Sequence, residues 1–193
     1  MNGCSSWRYR CWRVLARLGL AVLLAGIWPA AAQARGPRIA VSAAARANIL
    51  TQLSFFKVDD LNFGRIIAGT AAGTVTVSPA GTRTATGGAR LASDSSVRPA
   101  MFAGKGSAFQ TVTIAMNANT RTLTRTGGTQ TMTMDTFTIG STPTALLTVL
   151  ATAFTISSTS GIFTFPVGAT LRVGANQAPG TYVGTFTVTL LYQ

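Results

Sequence analysis

The sequence has no histidine, its four acidic residues are all Asp, and its only two cysteines, Cys4 and Cys11, lie near the start. Each shortage removes a kind of chemistry. General acid–base catalysis draws mostly on His, Glu and Asp. A nucleophilic Ser or Thr normally hands its proton to an adjacent base, usually His. Only Asp59, Asp60, Asp94 and Asp135 are on offer, and no Gly-x-Ser-x-Gly elbow occurs. Zinc would find no imidazole and, beyond Cys11, no thiolate. Asp59-Asp60 stands outside any EF-hand pattern and reads as a turn. Gly104-Lys105-Gly106-Ser107 lacks the phosphate-loop spacing and reads as a hairpin turn. The inventory predicts a protein that is not an enzyme and uses no cofactor or metal.

Long apolar runs are scarce too. Leu18 to Trp28 is the conspicuous one, and it falls well short of the roughly 20 residues of a membrane helix. Arg8, Arg10, Arg13 and Arg17 precede it, and Pro29 and Ala32-Gln33-Ala34 follow. That order of basic, apolar and small residues predicts a signal peptide over residues 1–34 with the mature chain starting at Arg35. A cut after Ala32 is the neighbouring alternative. Both cysteines precede the apolar run, so a lipoprotein anchor is not expected. Export by the general secretory route, to the periplasm, cell surface or medium, would leave a mature chain without disulfides in an oxidising compartment. No integral membrane helix is expected in it.

Removing the four leader arginines from a net charge of +12 leaves +8. The remaining cations are spread singly, as at Arg65, Arg83, Arg90, Arg98, Lys105, Arg121, Arg125 and Arg172. Without a run of charge or aromatics to stack bases, a nucleic-acid partner is not expected. A solvated basic surface is the plain reading. Weak attraction to acidic polysaccharide is the functional one.

Residues 35–47 are Ala- and Arg-rich and read as a flexible lead-in. Residues 48–193 read as one β-domain. Short runs of β-branched and aromatic residues are punctuated by turn signals such as Pro79-Ala80-Gly81-Thr82, Gly87-Gly88 and Gly127-Gly128. Thr144 to Phe154 has leucines at helical spacing, but its Thr and Val content favours a strand. Ile162 to Val167 and Leu171 to Val173 read as two strands. From Gly180 onward Tyr182, Phe186, Val188, Leu190 and Tyr192 alternate with threonines, which predicts one half-buried strand running to Gln193. The pattern as a whole predicts an all-β sandwich or barrel.

Several pieces taken together resemble a known family. They are Ile49-x-Thr51-x-Leu53, Asp60-Leu61-Asn62-Phe63-Gly64, Gly73-Thr74-Val75-Thr76-Val77 with Pro79-x-Gly81, and Met132-x-Met134-x-x-Phe137. The most specific is Val167-Gly168-Ala169-Thr170-Leu171-x-Val173 followed by Pro179-Gly180-x-Tyr182-x-Gly184-x-Phe186-x-Val188. The chain resembles, over Ile49 to Gln193, the bacterial secreted family known as domain of unknown function 4402. That family is similar in turn to fimbrial (Mat/Ecp-type) and spore-coat-U-like pilin subunits. Thr144 to Ser160 is longer and more apolar than the pattern, and Leu190-Leu191-Tyr192-Gln193 departs from it.

The resemblance implies an immunoglobulin-like antiparallel β-sandwich, all-β and pilin- or adhesin-like. It implies joining by strand addition, in which backbone bonds give affinity and alternate side chains fill pockets. The donor would be Ile49 to Phe55, with Ile49, Leu53 and Phe55 as the fillers. Tyr182, Phe186, Val188 and Leu190 would line the acceptor. The partners would be copies of the same chain or other surface subunits, with a periplasmic chaperone holding the groove until then. The plainer alternative, pairing of Ile49 to Phe55 within its own domain, stays open. The leading expectation is an exported structural or adhesive surface protein. The alternatives are a monomeric secreted binding module for acidic glycans and a small outer-membrane β-barrel.

Overall fold

A computed structural model of the chain describes residues 39–140 and 144–193. The expected leader, residues 1–34, lies outside the described residues, as do positions 35–38 of the lead-in. Alternating β-branched and polar residues build fourteen strands and, among the described residues, no helix. They are β1 (Ser54–Asp59), β2 (Ile66–Ile67), β3 (Gly73–Val77), β4 (Arg83–Gly87), β5 (Arg90–Leu91), β6 (Ala100–Lys105) and β7 (Thr111–Met116). There follow β8 (Arg121–Arg125), β9 (Thr131–Ile139), β10 (Ala145–Leu146), β11 (Thr152–Thr155), β12 (Ile162–Val173), β13 (Tyr182–Val183) and β14 (Val188–Tyr192).

Among the described residues all strand pairings are antiparallel. The large sheet runs β1-β6-β12-β9-β8-β13, with β3 on β12, β4 on β3 and β10 on β9. A second sheet runs β11-β7-β14, and β2 and β5 form a two-stranded ribbon. The large sheet is open at β1 and β13, as in a sandwich and not as in a closed barrel. One hydrophobic cluster joins the two sheets. Val112, Ile114 and Met116 of β7, with Val188 and Leu190 of β14, meet Phe163, Phe165, Val167 and Leu171 of β12. This is an all-β antiparallel sandwich.

The twelve-residue β12 is the spine. Its first half pairs with β6 and its second half with β3 along the same edge. The changeover falls at Gly168, where an added Cβ would collide with the Val77 carbonyl oxygen. Sequence alone divides this strand in two because Pro166 and Gly168 both weaken a strand pattern. The backbone removes the objection. The Pro166 carbonyl accepts from Gly140 N at 2.9 Å, so the missing N–H of Pro166 points along the edge where β9 pairs only from Val167 onward. The proline sits where the ladder is already ending.

The uneven spacing Met132-x-Met134-x-x-Phe137 also has a backbone cause. Along β9 the register slips between Gly168↔Thr138 and Thr170↔Asp135, so an extra residue bulges out and Thr136 takes φ +47. A bulge flips side-chain parity. Met134, Phe137 and Ile139 all therefore reach the core, although a regular strand would turn Met134 and Phe137 to opposite faces.

The Leu61-Asn62-Phe63-Gly64-Arg65 stretch is a clamped loop, where sequence suggests a strand. Phe63 is buried. The Asn62 side chain accepts from Gly64 N at 2.8 Å, and Gly64 has φ +70, a region that favours glycine. Arg83 of β4 donates to three carbonyls here, those of Phe63, Arg65 and Ala92. Asp94 accepts from Ser96 Oγ, Ser96 N and Arg65 N. The Ser96 hydroxyl, then the Ser96 and Arg65 amides and the Arg83 charge, hold its carboxyl below the usual carboxylate value.

Two measurements check this account. Phe165 is 1% exposed and Phe56, on the outer face of the same sheet, is 58% exposed. Phe165→Ala should lose about 3–5 kcal/mol of unfolding free energy in urea, and Phe56→Ala should change it by no more than about 0.5 kcal/mol. Because the Asp94 pKa is depressed on folding, its contribution is complete above the ordinary value of about 3.9 and is lost as pH falls through the folded value. Asp94→Asn should flatten that acid limb of the melting-temperature profile and leave its slope above pH 5 unchanged.

Candidate functional site at the strand edges

Three edges bear on the expected pairing role. Among the described residues, β14 pairs only with β7, β11 only with β7, and β1 only with β6. Along β14, Thr187 O accepts from Asn117 N and Gln193 N donates to Thr111 O. In an antiparallel ladder alternate residues face the same partner. The backbone N–H and C=O groups of Val188, Leu190 and Tyr192 therefore point away from β7, and among the described residues they have no backbone partner. Their side chains point inward: Val188 and Leu190 are buried and Tyr192 packs against the core.

The expected donor residues divide. Ser54 to Asp59 pair with β6 of the same chain, with Phe55 opposite Gly104. The Phe55 ring stacks on Phe102 and Phe165 at centroid distances of 5.4 and 5.7 Å. Leu53 also packs against the core. Ile49 shares their parity but lies before the strand begins and is 97% exposed. The chain thus leaves regular pairing at Ser54, and the apolar side chain upstream of it covers nothing.

The expected acceptor residues divide as well. Phe186 meets Phe102 and Phe137 at 6.1 and 5.2 Å, so it shares the Phe102 neighbourhood with Phe55. Val188 and Leu190 join the same core. Tyr182 does not stand beside them: it lies on β13, paired with β8 of the other sheet. The single terminal strand expected from the alternation is therefore two strands in two sheets, joined by a crossing at 184–187. Gly184 allows this, since a Cβ there would press on the Thr122 carbonyl and Leu123. Parity survives the crossing, which is why alternation alone does not reveal it.

Tyr182 instead closes a loop. Its hydroxyl donates to Ala178 O at 2.7 Å and accepts from the Gln177 amide at 2.8 Å. Arg125 fixes the same loop by donating from Nε to Pro179 O at 2.8 Å. Arg83 and Arg125 thus act as carbonyl clamps and not merely as solvated charge. Only the fold shows which carbonyls they reach, many residues away.

Tyr192 was no part of the expected set, yet it joins the two edges. Its hydroxyl accepts from Ser107 N and donates to Thr51 O, each at 2.7 Å. Thr51 N in turn donates to Ser107 Oγ at 2.6 Å. Among the described residues, Thr51, bonded to the phenol and to Ser107, is the last fixed point of the chain upstream of β1. Tyr192→Phe keeps the ring and loses both bonds. It should cost about 1 kcal/mol and speed hydrogen exchange at the Ser107 amide, which hydrogen-exchange mass spectrometry would read.

The family model described as domain of unknown function (DUF4402) matches residues 53–192. No curated protein and no solved structure matches the chain. The matched span takes in every strand from β1 to β14, the clamped Asn62-Phe63-Gly64 loop, the bulged β9 and both halves of the crossing at Gly184. With most of its length covered, the chain belongs to the DUF4402 family.

Proposed function

We propose that the protein is an exported structural or adhesive surface protein, pilin-like in its immunoglobulin-type sandwich, whose copies join by strand addition. The observation that carries the reading is the edge of β14. It offers the backbone groups of Val188, Leu190 and Tyr192, unpaired among the described residues, above side chains that already belong to the core. An exposed edge of that kind is a template for another chain. The same chain carries a segment just upstream of β1 whose Ile49 is wholly exposed, with Leu50 beside it also exposed. A segment with exposed apolar side chains, and an edge with no neighbour among the described residues, complement each other between copies.

The role of Ile49 to Phe55 is narrower in this form. Phe55 and Leu53 serve their own domain, and the donor is the chain from Ile49 back toward the lead-in. Thr51, held by Tyr192, is the hinge between the two. A periplasmic chaperone would serve by covering the β14 edge before a partner copy arrives.

The test separates assembly from folding. Ile49→Asp changes a side chain that touches almost nothing, so the melting temperature should stay within about 1 °C. Assembly of the exported protein, followed by sedimentation velocity and electron microscopy of the surface fraction, should be lost or strongly weakened. Removal of residues 35–48 should do the same. If both variants sediment and decorate the surface as the wild type does, strand addition by this segment is wrong.

A further inference from the structure

The outer face of the large sheet is unusual in what it aligns. Across β4, β3, β12, β9 and β8 one row reads Thr86, Thr74, Arg172, Thr133 and Thr122. The next row reads Thr84, Thr76, Thr170 and Asp135. Neighbours in a row stand about 5 Å apart, the spacing between strands. Hydroxyls in these rows already bond across strands, Thr74 to Thr86 at 2.6 Å and Thr76 to Thr170 at 2.9 Å. At the end of β12 the face sinks into an open trough of about 510 Å3. Its lining includes Thr74, Thr86, Thr133, Arg172, Gly174 and Gln177. The volume falls within the range of small-molecule sites, roughly 300–1,000 Å3, and its lining mixes threonine hydroxyls, the Gln177 amide and the Arg172 guanidinium with apolar surface from Met132, Val173 and Ala72.

The arginine is held in place. The bulge in β9 brings Asp135 opposite Thr170, and its Oδ2 accepts from Arg172 Nε. The other carboxylate oxygen accepts from Thr136 Oγ1 at 3.0 Å. Asp135 is only 13% exposed, whereas Arg172 is 59% exposed. The acid is thus satisfied and largely covered. The two Nη groups of the guanidinium have no hydrogen-bond partner among the described residues. They form a fixed pair of parallel donors, the geometry that a carboxylate takes in two-pronged fashion.

We propose that this trough binds a uronic-acid unit of an acidic polysaccharide. The sugar carboxylate takes the Nη edge of Arg172, and ring hydroxyls exchange bonds with Thr74, Thr86 and Thr133 and with the Gln177 amide. A ligand without hydroxyls would leave Thr133 and the spare hydroxyl capacity of the Thr74–Thr86 pair unused, and a neutral sugar would leave the guanidinium so. An open trough holds one unit weakly, and a repeating polymer meeting many copies of the protein multiplies that affinity without new contacts. The site is independent of strand addition: it lies on the outer face of the large sheet, whereas the β14 edge belongs to the other sheet.

Titration of the purified, isotope-labelled protein with tetragalacturonate, followed by amide chemical shifts, tests this. Maltotetraose serves as the neutral control. Shifts should gather at Thr74, Thr133, Arg172 and Gly174, saturate at roughly millimolar ligand, and weaken as salt rises. Arg172→Gln should reduce affinity about tenfold. Arg172→Lys, which keeps the charge without the fork, should fall between. Should Arg172→Gln fail to fold with Asp135 left unpaired, Thr133→Val removes a trough hydroxyl without touching the ion pair and should weaken binding about threefold. Equal response to maltotetraose overturns the proposal. So does a shift pattern spread over the scattered loop cations, or affinity unchanged in the folded variants.

Discussion

The stacking of phenylalanines between the two sheets is the interaction on which the rest of this domain depends. Phe163 and Phe165 of β12, Phe102 of β6 and Phe55 of β1 form one nearly parallel stack on the inner face of the large sheet, with centroid spacings from 5.4 to 6.3 Å. Phe154 of β11 meets that stack at steeper angles, and Phe186 bridges Phe102 to Phe137. Each ring takes on the order of 150–250 Å2 out of water. Nothing covalent shares the task, because the chain has no cysteine beyond Cys11. Apart from the Tyr192 hydroxyl bonds, the sheets are joined by burial, and among the described residues no buried side chain is polar.

That arrangement ties the edge strands to the centre. Phe55 contributes to the stack from an edge strand, so β1 is fastened by its ring as well as by its ladder to β6. The chain is released only upstream, where Thr51 is held by the Tyr192 and Ser107 hydroxyls and Ile49 stands almost wholly exposed. Core and edge are thus divided within a few residues.

Much of this was legible in the sequence, and the reasons for the rest are physical. Period-two alternation identifies Val112, Ile114 and Met116 as inward and Thr113 as outward, and the hairpins turning at Gly81 and at Gly127-Gly128 were readable. Gly104-Lys105-Gly106-Ser107, read as a hairpin turn, instead carries the chain from β6 in the large sheet to β7 in the small one, because Lys105 is still paired in β6 and β7 has its own neighbours. Leu53 and Phe55 were correctly placed on one face. Ile49 has the same parity but no ladder, and parity carries no information about where pairing begins. Pro166 and Gly168 concealed the continuity of β12, because their tolerance depends on neighbours far away in the chain. The crossing at Gly184 was invisible because parity is the same on both sides of it. The arginine clamps could not be foreseen, since Arg83 and Arg125 act on carbonyls that only the finished fold brings near.

The order of strands in the small sheet has a consequence for how the molecule is made. β7 is flanked by β11 and β14, and its Thr113 hydroxyl meets the Leu191 carbonyl across 78 residues of chain. The bond from Tyr192 to Thr51 spans 141. Contacts so distant in sequence form late and slowly. Until β14 arrives, half the lid over the phenylalanine stack is missing, and a nascent chain of this kind exposes its stickiest surface for most of its synthesis. A polypeptide that cannot close before β14 emerges leaves that apolar surface open to its neighbours until then, so association competes with folding throughout.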